Sequence, residues 1–278
     1  MSDPVPEALG IIAGRGVYPL LLAESARRQG VKRLVAVAFR WETDPAIEKK
    51  VDQVAWVRLG QLGPVLEAFR ASSVRHAVMA GQIKPTHLFR IRMDRPMLAL
   101  LAGLRERNAQ TIFGAVGEQL RSAGVELLPA YRFMESAMPR PGLLGRRSPT
   151  DAEQADITLG LKVAKLTSGL EIGQTVVVKN GTILAVEAFE GTDEAIRRAG
   201  KLGGAGAVIV KVAKRGHDMR FDIPVIGLHT FKTLRKIRAA VLAVEAGRTI
   251  LLERKKVIAE ADRLGICLTA VNVEEGSA

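Results

Sequence analysis

The sequence contains almost no cysteine and no segment suited to export or to a membrane. Cys267 is the single cysteine among 278 residues, which excludes a disulfide framework and a cysteine-based metal site and fits a reducing compartment. The amino-terminal residues lack the basic and apolar regions of a signal peptide. No uncharged apolar run reaches the roughly 18 residues that span a bilayer. These absences predict a soluble, cytoplasmic protein.

Aromatic residues are also scarce, at 4% of the chain, so few side chains could stack on the bases of single-stranded nucleic acid. Basic residues outnumber acidic ones: the chain has 41 lysines and arginines but 29 aspartates and glutamates, which gives a net charge of +12. This charge favours anionic partners, namely nucleic acid, acidic lipid or a nucleotide-like substrate. No recognisable nucleic-acid motif accompanies it. The net charge alone does not distinguish among these partners. A basic excess without functional meaning is a further alternative.

Several motifs of phosphate and acyl chemistry are missing. The chain has no Walker A sequence and no serine nucleophile elbow. It also lacks the Asp-x-His and Gly-Asn-His-Asp motifs of calcineurin-like phosphoesterases and the Arg-Glu-x-x-Glu-Glu run of Nudix enzymes. Metal-ligand spacing is not seen among the histidines, which lie at positions 76, 87, 217 and 229. An enzyme acting on phosphate would need a different site.

The amino-terminal part is predicted to begin with a strand, a helix and a second strand. Residues 9–13 form an apolar strand, Gly14 and Gly16 a turn, and residues 33–39 the next strand, with a helix between them. This start is typical of a Rossmann-like domain. No acidic residue stands at the end of the second strand, so nicotinamide binding is weakly supported. Backbone N–H groups in the turn could hold a phosphate, although a tight turn without a ligand remains an alternative.

Another predicted strand, residues 74–80, leads into a second glycine corner. Gly81, Gln82 and Lys84 follow it and precede Pro85, which again places glycine and a cation at the carboxyl end of a strand. A simple turn closed by Pro85 is the alternative. Residues 87–107 combine an apolar helix face with flanking arginines, which indicates either a core helix or a contact with lipid.

A proline- and glycine-rich linker is predicted over residues 139–149, where three prolines and two glycines oppose any regular element. The fold class is therefore α/β with two domains, a Rossmann-like domain over residues 1–138 and a mixed α/β domain over residues 150–278. Thr150 and Glu153 form a capping box at the start of a helix. Asn180-Gly181 predicts a hairpin, and residues 230–246 are predicted to be helical.

Candidate site residues concentrate between positions 186 and 230. An apolar strand brings Lys211 and Lys214 to its carboxyl end, where cations suit a phosphorylated ligand. Thr192 is predicted to cap a helix. The alternative for the two lysines is that they are solvated charges at the end of a strand, and the alternative for Asp193 and Asp222 is capping of a helix or turn. The candidates in this stretch also include Glu190, Gly191 and Arg220.

The same stretch carries a family resemblance. Glu-Gly-Thr-Asp-Glu-Ala from Glu190, Gly-Ala-Val-x-Val-Lys-Val-Ala-Lys from Gly206 and Arg-Phe-Asp-x-Pro from Arg220 follow one another in the chain. In this order they resemble the UDP-2,3-diacylglucosamine pyrophosphatases of the LpxI type, which also open with an Ile-Ala-Gly-x-Gly-x-x-Pro turn. The chain departs from many relatives at residues 108–110, where Asn-Ala-Gln replaces Gly-Asp-Asp. No role of those aspartates can therefore be transferred.

The resemblance implies a hydrolase of lipid A biosynthesis that depends on Mg²⁺, with Mn²⁺ as an alternative ion. It would split UDP-2,3-diacylglucosamine, held between the two domains, into UMP and 2,3-diacylglucosamine 1-phosphate (lipid X), with water attacking the β-phosphorus. It implies a peripheral contact with the inner-membrane surface and no nucleic-acid partner, and it leaves a homodimer open. A nicotinamide-dependent oxidoreductase and a basic nucleic-acid-binding protein are the alternatives.

Roles for individual residues follow from the same resemblance. Asp222 and Lys211 would be catalytic, and Asp222, Glu190 and Asp193 would bind the metal. Substrate binding would fall to Gly14, Gly16, Tyr18, Gly81, Gln82, Lys84, Gly191, Thr192, Lys214 and Arg220.

Overall fold

A computed structural model of the chain describes residues 4–83, 92–214, 218–221 and 223–273. The described residues form two compact units: residues 4–83 and 92–134 with 218–221, and residues 135–214 with 223–273. The chain passes from the first unit to the second at Met134 and Glu135, and residues 139–149 lie within the second unit. The prediction of an α/β protein with two domains is confirmed.

The first unit is built on a parallel sheet. Its strands lie in the order β3-β2-β1-β4-β5, and all neighbouring pairs run parallel. The sequence order reverses on either side of β1, and in open α/β sheets the crevice at the carboxyl ends of the strands beside such a reversal is the usual ligand position. The strands are β1 (Ala8–Ala13), β2 (Arg33–Phe39), β3 (Gln53–Val57), β4 (His76–Ala80) and β5 (Glu126–Leu127).

Short polar side chains cap two of the helices described in the first unit. Asp94 accepts a hydrogen bond from the N–H of Met97 at 2.9 Å, and Asn108 accepts one from Thr111 at 2.9 Å, so that α3 and α4 begin there. Residues 87–91 of the predicted segment 87–107 lie outside the described residues, and within the described remainder, residues 92–107, the only helix is α3. The helices are α1 (Tyr18–Arg28), α2 (Leu62–Ala71), α3 (Arg95–Ala102) and α4 (Ala109–Ser122), with a 3-10 helix at Pro45–Lys49.

The second unit is built on a mixed sheet with the strand order β6-β13-β11-β9-β7-β8. The three central strands β13, β11 and β9 are parallel, whereas β6, β7 and β8 pair antiparallel with their neighbours. A separate parallel pair joins β10 to β12. The strands are β6 (Gly142–Leu143), β7 (Thr175–Lys179), β8 (Thr182–Val186), β9 (Val208–Lys211), β10 (Val225–Ile226), β11 (Val241–Glu245), β12 (Ile250–Leu251) and β13 (Cys267–Val271).

Helices cover both faces of this second sheet. Ile196, Phe231 and Val257 of three helices pack with one face, and Ile157 and Ala164 of α5 pack with the other. Because both faces are buried, the central strands consist of nearly continuous apolar residues. The helices are α5 (Asp151–Gly169), α6 (Thr192–Gly203), α7 (Leu228–Ile237) and α8 (Arg254–Leu264). Among the described residues we find no helix with the length and hydropathy of a transmembrane segment.

Two predictions about the second unit were wrong, and one was confirmed. The helix predicted over residues 230–246 ends at Ile237, and β11 follows it; a buried strand and a buried helix cannot be distinguished by periodicity. The linker contains a regular element after all, because β6 pairs with the edge of β13. The predicted hairpin at Asn180 and Gly181 is present, and both residues have the positive φ angles, 50° and 75°, that such a turn requires.

The predicted capping box at the start of α5 is confirmed. The Thr150 hydroxyl accepts from the N–H of Glu153 at 3.3 Å, and the Glu153 carboxylate accepts from the N–H of Thr150 at 2.9 Å. The other carboxylate oxygen of Glu153 binds Arg147 at 2.6 Å. Burial by itself would raise the pKa of Glu153, but the bonds from Arg147 and Thr150 outweigh it and lower that pKa below its ordinary value.

We expect the contribution of this carboxylate to stability to depend on pH. Because the pKa of Glu153 is lower in the folded protein than its ordinary value of 4.5, the ionised carboxylate stabilises the fold at pH values above 4.5. This stabilisation is lost as the pH falls through the pKa of the folded state. Glu153→Gln keeps the cap and removes the charge, so the wild type should exceed it by about 1 kcal/mol in unfolding free energy near neutral pH. Chemical denaturation of both proteins as the pH is lowered should show this difference disappearing. A difference that is constant with pH would contradict the assignment.

Gly160 allows α5 to pack closely against the sheet. A Cβ atom at this position would lie 2.5 Å from Cγ2 of Val210 and 3.2 Å from Cγ2 of Val178. Gly160→Ala should therefore lower the free energy of unfolding by about 1–3 kcal/mol, because the added methyl overpacks the interface. Gly169→Ala is the control in the same helix, since nothing lies within 4 Å of its added Cβ. Equal stabilities of the two variants in urea denaturation would contradict this packing.

Candidate functional site

Two glycine corners meet at the carboxyl edge of the first sheet. The N–H of Gly14, just after β1, donates to the carbonyl oxygen of Ala80 in β4 at 2.7 Å. Arg15 and Gln82 exchange backbone hydrogen bonds of 2.8 and 3.2 Å. The structure therefore brings together Gly14, Gly81 and Gln82, which were predicted as substrate-binding residues on separate strands. Lys84, a further predicted member, lies outside the described residues.

The close approach of the two backbones explains two of the glycines. A Cβ on Gly14 would lie 2.8 Å from the carbonyl oxygen of Gln82, and one on Gly81 would lie 2.7 Å from that of Arg15. Gly81 also has a φ of +93°, as Gly16 has one of +90°, in the region that disfavours side chains. No atom of the described residues would lie within 4 Å of a Cβ on Gly16. Chain packing is thus sufficient reason for Gly14 and Gly81, and their contact with substrate stays a prediction.

Gly81→Ala should destabilise the first unit. The new methyl would meet backbone atoms of the neighbouring corner and would require a strained φ, so we expect a loss of about 1–3 kcal/mol in unfolding free energy. Gly114→Ala in α4 is the matched control, because its Cβ would meet nothing within 4 Å. Urea denaturation should show Gly114→Ala to be neutral or slightly stabilising. A Gly81→Ala protein as stable as this control would contradict the packing argument.

Tyr18 has a structural partner close to the same corner. Its side chain is buried, and its hydroxyl donates to the carbonyl oxygen of Ala130. Ser25, also on α1, donates to the carbonyl oxygen of Phe133 at 2.6 Å. The two bonds fasten α1 to the turn that contains Ala130 and Phe133. A substrate contact by Tyr18 stays a prediction.

In the second unit, Lys211 belongs to a buried hydrogen-bond network. It is the last residue of β9 and is 9% exposed, and its Nζ donates to the hydroxyl of Thr192 at 2.7 Å. That hydroxyl in turn donates to Oε1 of Glu187 at 2.8 Å. A single hydroxyl can accept from the lysine and donate to the glutamate, so the geometry is self-consistent. The Lys211–Thr192–Glu187 network therefore fixes a positive charge at the carboxyl end of β9.

The role predicted for Thr192 as a helix cap was wrong. Gly191 is the cap residue of α6, with a φ of 84°, and Thr192 is the first residue of the helix. Its hydroxyl does not cap the helix; it accepts a hydrogen bond from Lys211 and donates one to Glu187. Asp193 and Glu194 lie in the first turn as expected, where negative charge is favourable. Binding of substrate by Gly191 and Thr192 stays a prediction.

The carboxylates predicted to bind metal have different surroundings. Glu190 forms an ion pair with Arg198 at 2.6 Å, and this hydrogen bond lowers the pKa of Glu190. Asp193 contacts Nε2 of His229 through Oδ2 at 3.1 Å, but its Oδ1 is buried and has no hydrogen-bond partner among the described residues. Oε2 of Glu187 is likewise buried and has no partner within the same part of the chain. Glu187, which the sequence analysis missed, and Asp193 therefore offer oxygens that a cation could use.

These two carboxylate oxygens are enough protein ligands for a Mg²⁺ ion. Mg²⁺ is usually held by one or two carboxylates together with water and substrate phosphate oxygens. Both carboxylates are linked to Thr192, Glu187 through a hydrogen bond and Asp193 as its neighbour in the chain. Within the described part of the chain, no three histidine, cysteine or acidic side chains form a metal cluster. Asp222, the other predicted ligand, lies outside that part.

Lys214 and Arg220 both have acidic partners. Lys214 forms an ion pair with Glu171 in the second unit. Arg220 belongs to the first unit and binds Asp218 through two nitrogens at 2.9 and 2.6 Å, a contact that raises the pKa of Arg220. Phe221 beside it contacts Phe113, with 5.9 Å between ring centroids. A substrate phosphate would have to compete with these carboxylates, and binding by Lys214 and Arg220 stays a prediction.

Comparison with known proteins gives the same family for both halves of the chain. The family model described as the LpxI N-terminal domain matches residues 8–137, and the one described as the LpxI C-terminal domain matches residues 140–269. A protein of Caulobacter vibrioides named UDP-2,3-diacylglucosamine pyrophosphatase LpxI is 32% identical over 279 residues, which cover 96% of this chain and 98% of that protein. The resemblance inferred from the motifs is thereby confirmed, and the chain belongs to the LpxI family.

Proposed function

We propose that this protein hydrolyses the pyrophosphate bond of UDP-2,3-diacylglucosamine and releases UMP and 2,3-diacylglucosamine 1-phosphate (lipid X), a step of lipid A biosynthesis. The observation that carries the proposal is the match over both domains to a relative named for this substrate, 32% identical over 96% of the chain. The basic excess of the sequence agrees with a substrate that carries two phosphates.

The Lys211–Thr192–Glu187 network supports this chemistry. Cleavage of a diphosphate needs neutralisation of charge and an aligned water molecule more than it needs a covalent nucleophile. Lys211 supplies a positive charge that is held in place before the substrate arrives, because Thr192 fixes its ammonium group at 2.7 Å. We assign it to the phosphate oxygens, whose negative charge it would stabilise as the bond breaks.

Following the family resemblance, water would attack the β-phosphorus, which is attached to the sugar. A new bond then forms between the water oxygen and this phosphorus, and the bond from the phosphorus to the bridging oxygen breaks. The bridging oxygen leaves with UMP, and the water oxygen remains in the phosphate of lipid X. Asp222 is proposed to take the proton of the water or to bind the metal ion, on the resemblance alone.

A divalent cation is part of the proposal, with Mg²⁺ preferred and Mn²⁺ as the alternative. Glu187 and Asp193 would hold it, because each has a buried carboxylate oxygen that has no hydrogen-bond partner in the part of the chain that the structure describes. When bound, the ion would neutralise charge on the phosphate oxygens. Glu190 is the weaker candidate, since Arg198 already occupies it.

The remaining parts of the proposal rest on the resemblance and on charge. They are a substrate held between the two domains and a cytoplasmic protein in peripheral contact with the inner membrane. The net charge of +12 supports the membrane contact, because anionic lipid attracts basic surfaces. Sedimentation with anionic vesicles tests it, and a protein that stays in the supernatant at low salt would contradict it.

The nicotinamide alternative is not favoured by the first sheet. Its strand order would suit a dinucleotide, but β2 ends at Phe39, and the acidic residue that would bind the ribose is missing there. Glu42, the first acidic residue after β2, is buried. Titration of the protein with NADH by fluorescence should show no saturable binding.

The direct test is incubation of the purified protein with UDP-2,3-diacylglucosamine, with Mg²⁺ or with EDTA. We expect UMP and lipid X in equal amounts with Mg²⁺ and a large loss of rate with EDTA. Intact substrate under both conditions would contradict the function. Equal rates under both would contradict the cation requirement alone.

A further inference from the structure

A buried ion pair lies in the second unit, outside the groups assigned above. Lys165 of α5 and Glu245, the last residue of β11, are 8% and 3% exposed. The lysine Nζ lies 2.8 and 2.7 Å from the two carboxylate oxygens of Glu245. Such a pair has a high desolvation cost, so its presence calls for an explanation beyond simple attraction.

Both members of the pair also bind the backbone of Ala213. Nζ of Lys165 donates to the carbonyl oxygen of Ala213 at 2.8 Å, and the N–H of Ala213 donates to Oε2 of Glu245 at 2.7 Å. Ala213 is fully buried and lies two residues beyond Lys211. Its N–H and carbonyl groups would otherwise lack these partners, which is costly in a protein interior. The ion pair thus holds the chain where β9 ends.

The position of this contact relates it to the proposed reaction. The backbone pairing of β9 with β11 ends where Lys211 faces Val244, so the sheet does not continue to Ala213. The N–H of Val212 still donates to the carbonyl oxygen of Gln174, beside β7, at 3.0 Å, and the two side chains then bind the next residue, Ala213. They therefore fix the peptide that follows Lys211 and precedes Lys214.

Stability alone is a poor reason to keep such a pair. Apolar residues of similar volume are often equally stabilising in place of a buried ion pair, but they could not bind the N–H and carbonyl groups of Ala213. We propose that Lys165 and Glu245 are positioning residues, which hold the end of β9 so that Lys211 meets the phosphate of the substrate. This inference rests on the proposed function, and neither residue is assigned a contact with substrate.

Asp156 provides a matched control on the same helix. Its carboxylate is 5% exposed and accepts from the N–H groups of Asn180 and Gly181 at 2.8 and 2.7 Å. It therefore also binds backbone with a buried carboxylate. However, the turn that it holds lies at the other end of the sheet, because Thr175, at the opposite end of β7, faces Lys211. Its loss should affect stability without moving Lys211.

The experiment compares kcat and KM for UDP-2,3-diacylglucosamine hydrolysis, per folded protein, in three variants. Lys165→Met with Glu245→Gln removes both charges of the buried pair. Arg248, whose Nε lies 3.9 Å from Oε1 of Glu245, also loses that carboxylate but is 26% exposed to solvent. We expect kcat to fall by about 100-fold, the scale of a small misplacement of a catalytic group. KM should change by less than about threefold. Lys165→Arg keeps the charge and the donor and should retain most of the activity. Asp156→Asn should be less stable than the wild type but have nearly the same kcat.

A folded double variant whose kcat is no lower than that of Asp156→Asn would overturn the proposal. Amide hydrogen exchange gives a second readout, which does not need substrate or the double variant. In Glu245→Gln the amide of Ala213 should exchange at least about tenfold faster, while that of Ile209 within β9 keeps its rate. Unchanged exchange at Ala213 would also overturn the proposal. If the wild-type protein released no UMP, the proposed function would fail, and hydrogen exchange would still decide whether the pair holds Ala213.

Discussion

Replacement of Lys211 by methionine is expected to lower kcat for UDP-2,3-diacylglucosamine hydrolysis by about 10²–10³-fold, the usual cost of removing a preorganised electrostatic group. Methionine retains much of the apolar stem that is buried at the end of β9 but has no charge. Thr192 would keep its hydrogen bond to Glu187, so the surroundings should change little. The effect should therefore fall on the reaction and not on the fold.

Steady-state kinetics on the purified variant, together with its thermal unfolding, test this expectation. Lys255→Met is the matched control, because Lys255 is exposed on α8 and belongs to no site discussed above. The control should keep wild-type kinetics. Lys211→Met with a kcat within about threefold of wild type would remove Lys211 from the catalytic groups.

Replacement of Asp222 by alanine is expected to leave substrate binding intact and to slow turnover by at least about 100-fold, as for the loss of a general base or a metal ligand. The expectation rests on the resemblance of the Arg-Phe-Asp-x-Pro segment, which begins at Arg220, to proteins of the LpxI type. Asp151→Ala is the control, since that carboxylate is exposed in the first turn of α5. Near-normal turnover of Asp222→Ala would dismiss it from both roles.

The same variant can distinguish its two possible roles. If Asp222 binds the ion, a much higher Mg²⁺ concentration should restore part of the activity of Asp222→Ala. If it is instead the base, added Mg²⁺ should have no effect, and the acidic limb of the pH–rate profile should disappear. If Asp222→Ala had wild-type activity at the Mg²⁺ concentration used for the wild type, both the metal-ligand role and the base role would be contradicted.

Elements with local signals were predictable from the sequence. The opening strand, helix and strand, the Asn180-Gly181 hairpin and the capping box at Thr150 each depend on neighbouring residues. β11 was not predictable, because all five of its residues are buried and its run of four apolar residues, 241–244, also suits a helix. Its strand conformation follows from pairing with β9 and β13, which are distant in the chain.

The candidate site was predictable only in part, for the same reason. Lys211 and Thr192 were both identified, the first from its place at the end of an apolar strand. Their contact was not, because it joins positions 19 residues apart. Glu245 and Lys165 are separated by 80 residues, and nothing near either one signals the other. Tertiary pairing of this kind follows from the fold and not from local pattern.

The most direct test of the account is hydrolysis of UDP-2,3-diacylglucosamine by the purified protein with Mg²⁺ in ¹⁸O-labelled water, with both products analysed by mass spectrometry. The account predicts UMP without label and lipid X with one ¹⁸O atom in its phosphate. Label in UMP would contradict attack at the β-phosphorus. Recovery of unhydrolysed UDP-2,3-diacylglucosamine would contradict the function itself.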